Sequence, residues 1–77
     1  MGRAGKALKR VLQDYQITQN HLAVSMSIDR SNVSRWVNES RDPSAESVAE
    51  LKDALTLIKP QAGDDFVQYF LYSKGRV

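Results

Sequence analysis

The 77-residue chain is predicted to fold as a single all-α domain. Three observations support this class. Apolar residues recur at helical spacing from Leu8 onward, and no proline stands before Pro43. Thr18, Asp29 and Ser44, which are favoured helix N-caps, each stand directly before a segment with that spacing. Strand patterns are weak throughout, and a chain of this length has room for one core.

The first two helices are predicted from the positions of their apolar side chains. Helix one covers residues 4–15, and its core face holds Leu8, Val11, Leu12 and Tyr15. Ile17 leads into Thr18, which caps helix two. That helix presents on one face the residues Leu22, Ala23 and Met26. Ser27 and Ile28 then form a very short break.

Three further helices complete the prediction. Helix three begins after Asp29 and runs to Val37 or Asn38, followed by a loop over residues 39–43. Helix four begins after Ser44 and has as its core face Val48, Leu51, Leu55 and Ile58. Pro60 either stops this helix or occupies the first turn of another. Helix five is predicted over residues 64–73 and ends near Gly75.

Helix three has an unusual polar face. On a helical wheel, Arg30, Ser34, Asn38, Ser31 and Arg35 fall within an arc of about 140°. Val33, Trp36 and Val37 occupy the opposite arc and are predicted to lie in the core. The polar arc has neither Lys nor Glu, although these are better helix formers than Ser and Asn.

This composition is typical of a helix that enters the DNA major groove. Short Ser and Asn side chains allow close approach and both donate and accept hydrogen bonds. The planar fork of arginine matches both the guanine edge and phosphate. The alternative for helix three taken alone is an ordinary solvated face that happens to be rich in serine.

The segment before helix three strengthens the DNA-binding interpretation. Over Gln19–Val37, two short helices are separated by too few residues to pack antiparallel, so they must cross steeply, with Ala23 at their closest approach. Residues 6–58 resemble the phage-repressor (Cro-like, xenobiotic-response-element) helix-turn-helix family. The resemblance is carried by Ile17-Thr18-Gln19, Leu22-Ala23, the run from Ile28 to Trp36, and the loop Arg41-Asp42-Pro43-Ser44.

The resemblance implies a small five-helix, lambda-repressor-like domain in which helix three reads bases and helix two crosses the DNA backbone. Transferred position by position, it implies that the base-reading residues are Arg30, Ser31, Arg35 and, less directly, Asn32 and Ser34. It also implies that the phosphate-contacting residues are Gln19, Asn38, Ser40 and Arg41. The bound partner is then double-stranded DNA, and residues 1–59 form the DNA-binding domain.

The sequence departs from the family pattern at three positions. Ser27 stands where the turn usually has glycine, so it must adopt a left-handed conformation at a cost of about 1 kcal/mol or alter the turn. His21 stands where an acid often completes a capping box with Thr18. Glu39 replaces a common loop glycine and brings a negative charge near the expected phosphates.

The C-terminal residues 60–77 are rich in aromatic side chains. One face of helix five can bury Phe66, Tyr69 and Phe70, while Val67 and Leu71 project to another side. Such a helix either lies in a groove of its own chain or forms a two-fold dimer interface, for which the predicted residues are Phe66, Val67, Phe70 and Leu71. A specific regulator must bind its site roughly 4–10 kcal/mol more tightly than other DNA, and two half-sites supply this difference more readily than one. A homodimer on a two-fold site is therefore favoured.

Composition and charge limit the other function classes. Residues 1–41 hold seven Lys/Arg and three Asp/Glu, whereas residues 42–77 hold four and six, which favours an anionic partner for the first half. The chain has no cysteine and one histidine, and no nucleophile, base and metal-ligand set can be assembled. We therefore expect no enzyme activity, no metal and no cofactor. No apolar run has membrane-spanning length, so a cytoplasmic protein without membrane association, located at the nucleoid when bound to DNA, is expected.

One rival interpretation belongs to a different class. The same family resemblance extends to antitoxins and adaptors that bind a protein partner. The aromatic helix five is the feature that favours such a protein-interaction module. An RNA-binding role has less support, because the sequence offers no exposed aromatic platform or single-strand groove.

Overall fold

The apolar periodicity and the three N-caps produce helices close to those predicted. The computed structural model describes residues 2–72, which form α1 (Arg3–Tyr15), α2 (Gln19–Met26), α3 (Arg30–Val37), α4 (Ala45–Ile58) and α5 (Pro60–Tyr72). Within these residues there is no strand, and the all-α prediction is confirmed. The predicted C-terminal end of helix five, at Ser73 and Gly75, lies outside the described residues.

The predicted N-caps form the expected hydrogen bonds. The Thr18 hydroxyl accepts from the backbone N–H of His21 at 3.0 Å, and the Ser44 hydroxyl accepts from that of Ser47 at 3.1 Å. Each cap pairs one of the N–H groups that a first helical turn leaves without an intrahelical partner. The starts of α2 and α4 therefore follow from local side-chain chemistry.

Helices α1 and α2 end in left-handed residues that are not glycine. Gln16 has φ 55° and Ser27 has φ 57°, so of the two alternatives stated for Ser27 the left-handed conformation is the one adopted. After α2, the N–H of Ile28 donates to the carbonyl of Ala23 at 3.0 Å and the N–H of Ser27 donates to that of Val24 at 3.1 Å. These are the two bonds of a Schellman motif, which pairs the last carbonyls and reverses the chain before α3.

Helix α5 begins four residues earlier than the predicted boundary at Asp64. It starts at Pro60, after Lys59 in extended conformation with φ −149° and ψ 118°. Proline is favoured at the first helical position because its φ is already helical and no N–H is needed there. The residue before a proline is driven out of the α region, so the break between α4 and α5 is confined to Lys59.

All five helices contribute to one hydrophobic core. The fully buried large side chains, with less than 2% exposure, are Phe66, Leu8, Leu22, Leu51, Leu55, Val11 and Val33. Trp36 is 8% exposed and belongs to the same cluster, as predicted. Ala62 and Phe66 of α5 lie in this cluster too, so α5 shares the core of α1–α4.

Candidate nucleic-acid interface

Helix α3 is fixed at its N-terminus by Asp29. The carboxylate accepts a hydrogen bond from the backbone N–H of Ser31 at 2.9 Å. This bond, followed by that of the Ser31 hydroxyl and the charges of the nearby arginines, holds the pKa of Asp29 below its usual value. The acid at the edge of the polar face is therefore an ionised helix cap, and it stabilises the first turn of α3.

The C-terminus of α3 is closed by the loop that follows it. Glu39 is left-handed with φ 63°, the N–H of Glu39 donates to the carbonyl of Trp36 at 3.1 Å, and that of Ser40 donates to the carbonyl of Arg35 at 3.0 Å. These are again the two bonds of a Schellman motif, as after α2. The side-chain hydroxyl of Ser40 also donates to the Arg35 carbonyl, at 3.4 Å. Ser40, predicted to contact phosphate, thus closes the end of α3.

Glu39 lies beside the first turn of α1, not along α3. Its carboxylate reaches Gly2, the N-cap of α1, and a methyl group added to Gly2 would overlap it. A carboxylate at a helix N-terminus interacts favourably with the helix dipole. The negative charge of Glu39 is therefore directed toward α1.

Close packing of α1 against α3 depends on Gly5. A Cβ at Gly5 would overlap the carbonyl oxygen of Trp36. Trp36 and Val33 are 8% and 0% exposed, so they hold the apolar side of α3 in the core. The back of the helix is thus in tight contact, and its opposite face is oriented outward.

That outward face carries the predicted base-reading residues. Arg30, Ser31 and Arg35 are exposed, and Asn32 and Ser34 are half-buried. The wheel arrangement predicted from the sequence therefore matches the exposure pattern of α3.

A groove joins α3 to the start of α2. It has a volume of about 490 Å³ and is lined by Gln19, Asp29, Arg30, Ser31, Ser34 and Arg35. Gln19, the first residue of α2, thus lies beside four of the five predicted base-reading residues. Asn32 does not line this groove.

Two side-chain hydrogen bonds connect the remaining polar residues to this face. Arg35 Nη1 donates to Asn32 Oδ1 at 3.4 Å, and Asn38 Nδ2 donates to Ser34 Oγ at 3.5 Å. Asn32 therefore lies where it can orient the Arg35 guanidinium. Asn38 contacts the outward face of α3, and Arg41 is exposed in the loop beyond it.

The residues predicted for a dimer interface separate into two groups. Phe66 is 0% exposed and packs in the core of its own chain, so its assignment to an interface between chains is wrong. Its ring stacks on Phe70 at a centroid distance of 6.2 Å. Val67 and Phe70 are half-buried, and Leu71 is 52% exposed. Only the outer side of α5, which continues to Tyr72 at 71% exposure, is open to a partner.

A polar network between α1 and α5 was not predicted from the sequence. The Tyr15 hydroxyl donates to Asp65 Oδ2 at 2.5 Å, and the Tyr69 hydroxyl donates to Asp14 Oδ2 at 2.9 Å. The Arg10 guanidinium lies 4.3 Å from the centre of the Tyr69 ring. The only sequence signal is a Tyr and an Asp on each helix, and nothing local pairs residues that are 50 and 55 positions apart.

The network raises the pKa of both tyrosines. The hydrogen bond to Asp65, together with burial, raises the pKa of Tyr15 to about 12. The hydrogen bond to Asp14 raises the pKa of Tyr69, and Arg10 opposes this shift. Each phenol is held in its neutral, donating form, because ionisation would place two negative charges side by side.

Other predicted features are located as follows. His21 is exposed on α2, and its backbone N–H donates to the Thr18 hydroxyl that caps this helix. Residues 2–72 contain no group of three or more His, Asp or Glu side chains placed to hold a metal ion. Over the same residues, every helix is too short or too polar to cross a membrane.

Comparisons of the chain with protein-family models, with curated proteins and with solved structures returned no match.

Proposed function

We propose that this protein is a sequence-specific DNA-binding transcriptional regulator that inserts α3 into the major groove. The observation that carries the proposal is the outward face of α3, where arginine, serine and asparagine side chains stand opposite a buried Val33 and Trp36. A helix of this kind fits the major groove, and arginine forms two hydrogen bonds with guanine. The fold would then be a lambda-repressor-like helix-turn-helix domain acting at the nucleoid.

The contacts can be divided into two kinds. Arg30, Ser31, Ser34 and Arg35 would contact base edges, with Asn32 orienting Arg35 or reading an adjacent base. Gln19, Asn38, Ser40 and Arg41 would contact backbone phosphates. Gln19 is supported by its position across the groove from α3, and its main-chain N–H belongs to the first turn of α2.

A homodimer is part of the proposal for an energetic reason. One eight-residue helix reads about four or five base pairs, and each Arg–guanine contact contributes about 1–3 kcal/mol of discrimination. Specific regulators exceed their non-specific binding by roughly 4–10 kcal/mol. Two copies on half-sites about 34 Å apart reach this range. The outer side of α5, including Leu71, is the proposed contact between them.

Selection of binding sites from random duplex DNA tests the proposal. The parent protein is expected to enrich a short motif repeated with two-fold symmetry. Arg35→Ala is expected to weaken binding to that motif by about 1–3 kcal/mol and to lose discrimination at one position. Arg41→Ala is the matched control, since it removes the same side chain from an exposed loop position. Arg41→Ala should weaken binding to all DNA sequences alike, and it should reduce the salt dependence of binding by the amount expected for about one phosphate contact.

The outcomes separate the parts of the proposal. An asymmetric motif would support DNA reading by a monomer and contradict the dimer. No enrichment at all would contradict the regulator. If Arg35→Ala bound every duplex as tightly as the parent does, the base-reading role of Arg35 would be wrong.

A second candidate function is a module that binds another protein through α5. The observation that favours it is the exposure of Leu71 and Tyr72, at 52% and 71%, on the outer side of a helix whose inner side is buried. Affinity capture with the parent and with a Leu71→Ser variant distinguishes the two functions. A partner that depends on Leu71, combined with no DNA motif, would establish this alternative.

A further inference from the structure

Helix α1 carries four basic residues, and the packing of α1 separates them onto different surfaces. Lys6 and Arg10 line a groove of about 360 Å³ between α1 and α5. Arg10 is already engaged there, 4.3 Å from the Tyr69 ring centre and 3.8 Å from Asp14. These two positive charges therefore belong to the α5 side of the molecule.

Arg3 also lies away from the α3 face. It lines a groove of about 280 Å³ together with Asp42 and Phe70. An acidic side chain in the same groove makes it a poor site for a DNA phosphate.

Lys9 occupies a different surface. With Gln13, one helical turn later, it lines a groove of about 230 Å³ between α1 and the start of α2. The other side chains around this groove are Leu12, Ile17, Gln19 and Val37. Lys9 and Gln13 are exposed, whereas Leu12 and Ile17 are each 7% exposed and form its floor. The groove thus has an apolar base with donor side chains around it.

Gln19 connects this groove to the proposed reading face. It lines the α1–α2 groove on one side and the groove along α3 on the other. The surface that begins at Arg30 and Arg35 on α3 therefore continues past Gln19 to Lys9. By contrast, the groove that holds Lys6 and Arg10 is lined by residues of α1 and α5 and shares none of them with the groove along α3.

We propose, on the basis of the proposed function, that Lys9 and Gln13 of α1 hold a backbone phosphate of the DNA next to the one contacted by Gln19, and that Lys6 and Arg10 do not contact the DNA. A lysine ammonium on a flexible stem suits a phosphate as a point charge, and a glutamine amide supplies an uncharged donor. The DNA footprint then includes α1, with a single charged contact from that helix.

The test compares Lys9→Ala with Lys6→Ala. Both variants remove one lysine from an exposed position in the same helix, so net charge and helix propensity change equally. Binding to the selected duplex is measured as a function of salt concentration. The loss of one phosphate contact makes the negative slope of log K against log salt less steep by about 0.9. The ratio of the parent affinity to the Lys9→Ala affinity should therefore shrink about 3.5-fold between 50 and 200 mM salt.

The expected results for the controls follow from the same geometry. Lys6→Ala should keep the slope of the parent. Gln13→Ala removes no charge, so it should weaken binding by a factor that stays constant across the salt series. Circular dichroism of each variant checks that the helices are intact.

Each outcome decides the proposal. Equal slopes for the two lysine variants, or a reduced slope for Lys6→Ala alone, would overturn the assignment while leaving DNA binding itself in place. Unchanged affinity of Gln13→Ala would remove that residue from the contact. A parent protein with no salt-dependent DNA binding would overturn the proposed function, and this inference with it.

Discussion

Replacing Ser27 with glycine should stabilise the protein. Ser27 ends α2 in the left-handed region, at φ 57° and ψ 41°. An L-residue in this region crowds its Cβ against the following carbonyl, at a cost of about 1–2 kcal/mol. Glycine removes that cost, and its N–H can keep the 3.1 Å bond to the Val24 carbonyl.

The magnitude is limited by the unfolded chain. Glycine loses more backbone entropy on folding than serine does, which offsets about 0.5–1 kcal/mol of the relieved strain. The net gain in the free energy of unfolding therefore lies between about 0 and 1.5 kcal/mol, with a central value of about 0.75 kcal/mol. For a domain of 77 residues, this central value corresponds to a rise in Tm of about 3–6 °C.

Ser25→Gly is the matched control. Ser25 is exposed within α2, two positions earlier, so the same substitution there brings only the entropic penalty, about 0.5 kcal/mol of destabilisation. Urea and thermal unfolding of the two variants should move in opposite directions from the parent. A Ser27→Gly protein that is no more stable than Ser25→Gly would refute the strain argument.

Four more substitutions test the packing and the pH dependence. Phe66→Ala should lower the free energy of unfolding in urea by about 3–5 kcal/mol, because the ring is fully buried. Leu71→Ala should leave the urea midpoint nearly unchanged and weaken self-association in sedimentation, because Leu71 is exposed. A Phe66→Ala protein as stable as the parent would contradict the placement of Phe66 in the core of its own chain. Gly5→Ala should lower the free energy of unfolding by about 1–2 kcal/mol, because the added methyl group meets the Trp36 carbonyl. This loss is expected although alanine has a better helix propensity than glycine. A Tm above that of the parent would contradict the close approach of α1 to α3. The pKa of Tyr15 is raised from 10.0 to about 12, so between these pH values the folded state binds more protons than the unfolded state. The contribution of Tyr15 to the free energy of unfolding should therefore be fully present below pH 10 and should be lost as the pH rises toward 12. Tyr15→Phe should flatten that fall in alkaline urea titrations, and an unchanged pH profile would exclude the hydrogen bond to Asp65 as its cause.

Local signals in the sequence were sufficient for α2, α3 and their caps. Thr18 and Asp29 accept hydrogen bonds from backbone groups two or three residues away, so nearby sequence contains both partners. For Ser27 the sequence left two alternatives, a left-handed residue or an altered turn, and the structure shows the left-handed one. The start of α5 was missed because Pro60 suits either the end of one helix or the first turn of the next.

The arrangement of helices could not be predicted in the same way. Tyr15 and Asp65 are 50 positions apart, and their pairing depends on how α1 lies against α5. The assignment of Phe66 to a dimer interface failed for the same reason, since helical periodicity identifies an apolar face without identifying the surface that covers it. The base-reading and phosphate-contacting roles on α3 and α2 stay predictions.

The position of α1 connects these predictions. An eight-residue helix such as α3 is not stable alone, so its orientation is imposed by its caps and by what lies behind it. Behind it, Gly5 of α1 contacts the backbone of Trp36, and one turn later Lys9 of the same helix faces the groove that holds Gln19. A rigid α1 therefore sets the distance between the proposed phosphate contact and the proposed reading face. It follows that Gly5→Ala, which must move α1 away from α3, should reduce affinity for the selected duplex even at temperatures where the variant is fully folded. A folded Gly5→Ala protein with parental affinity would mean that α1 does not determine how α3 meets the DNA.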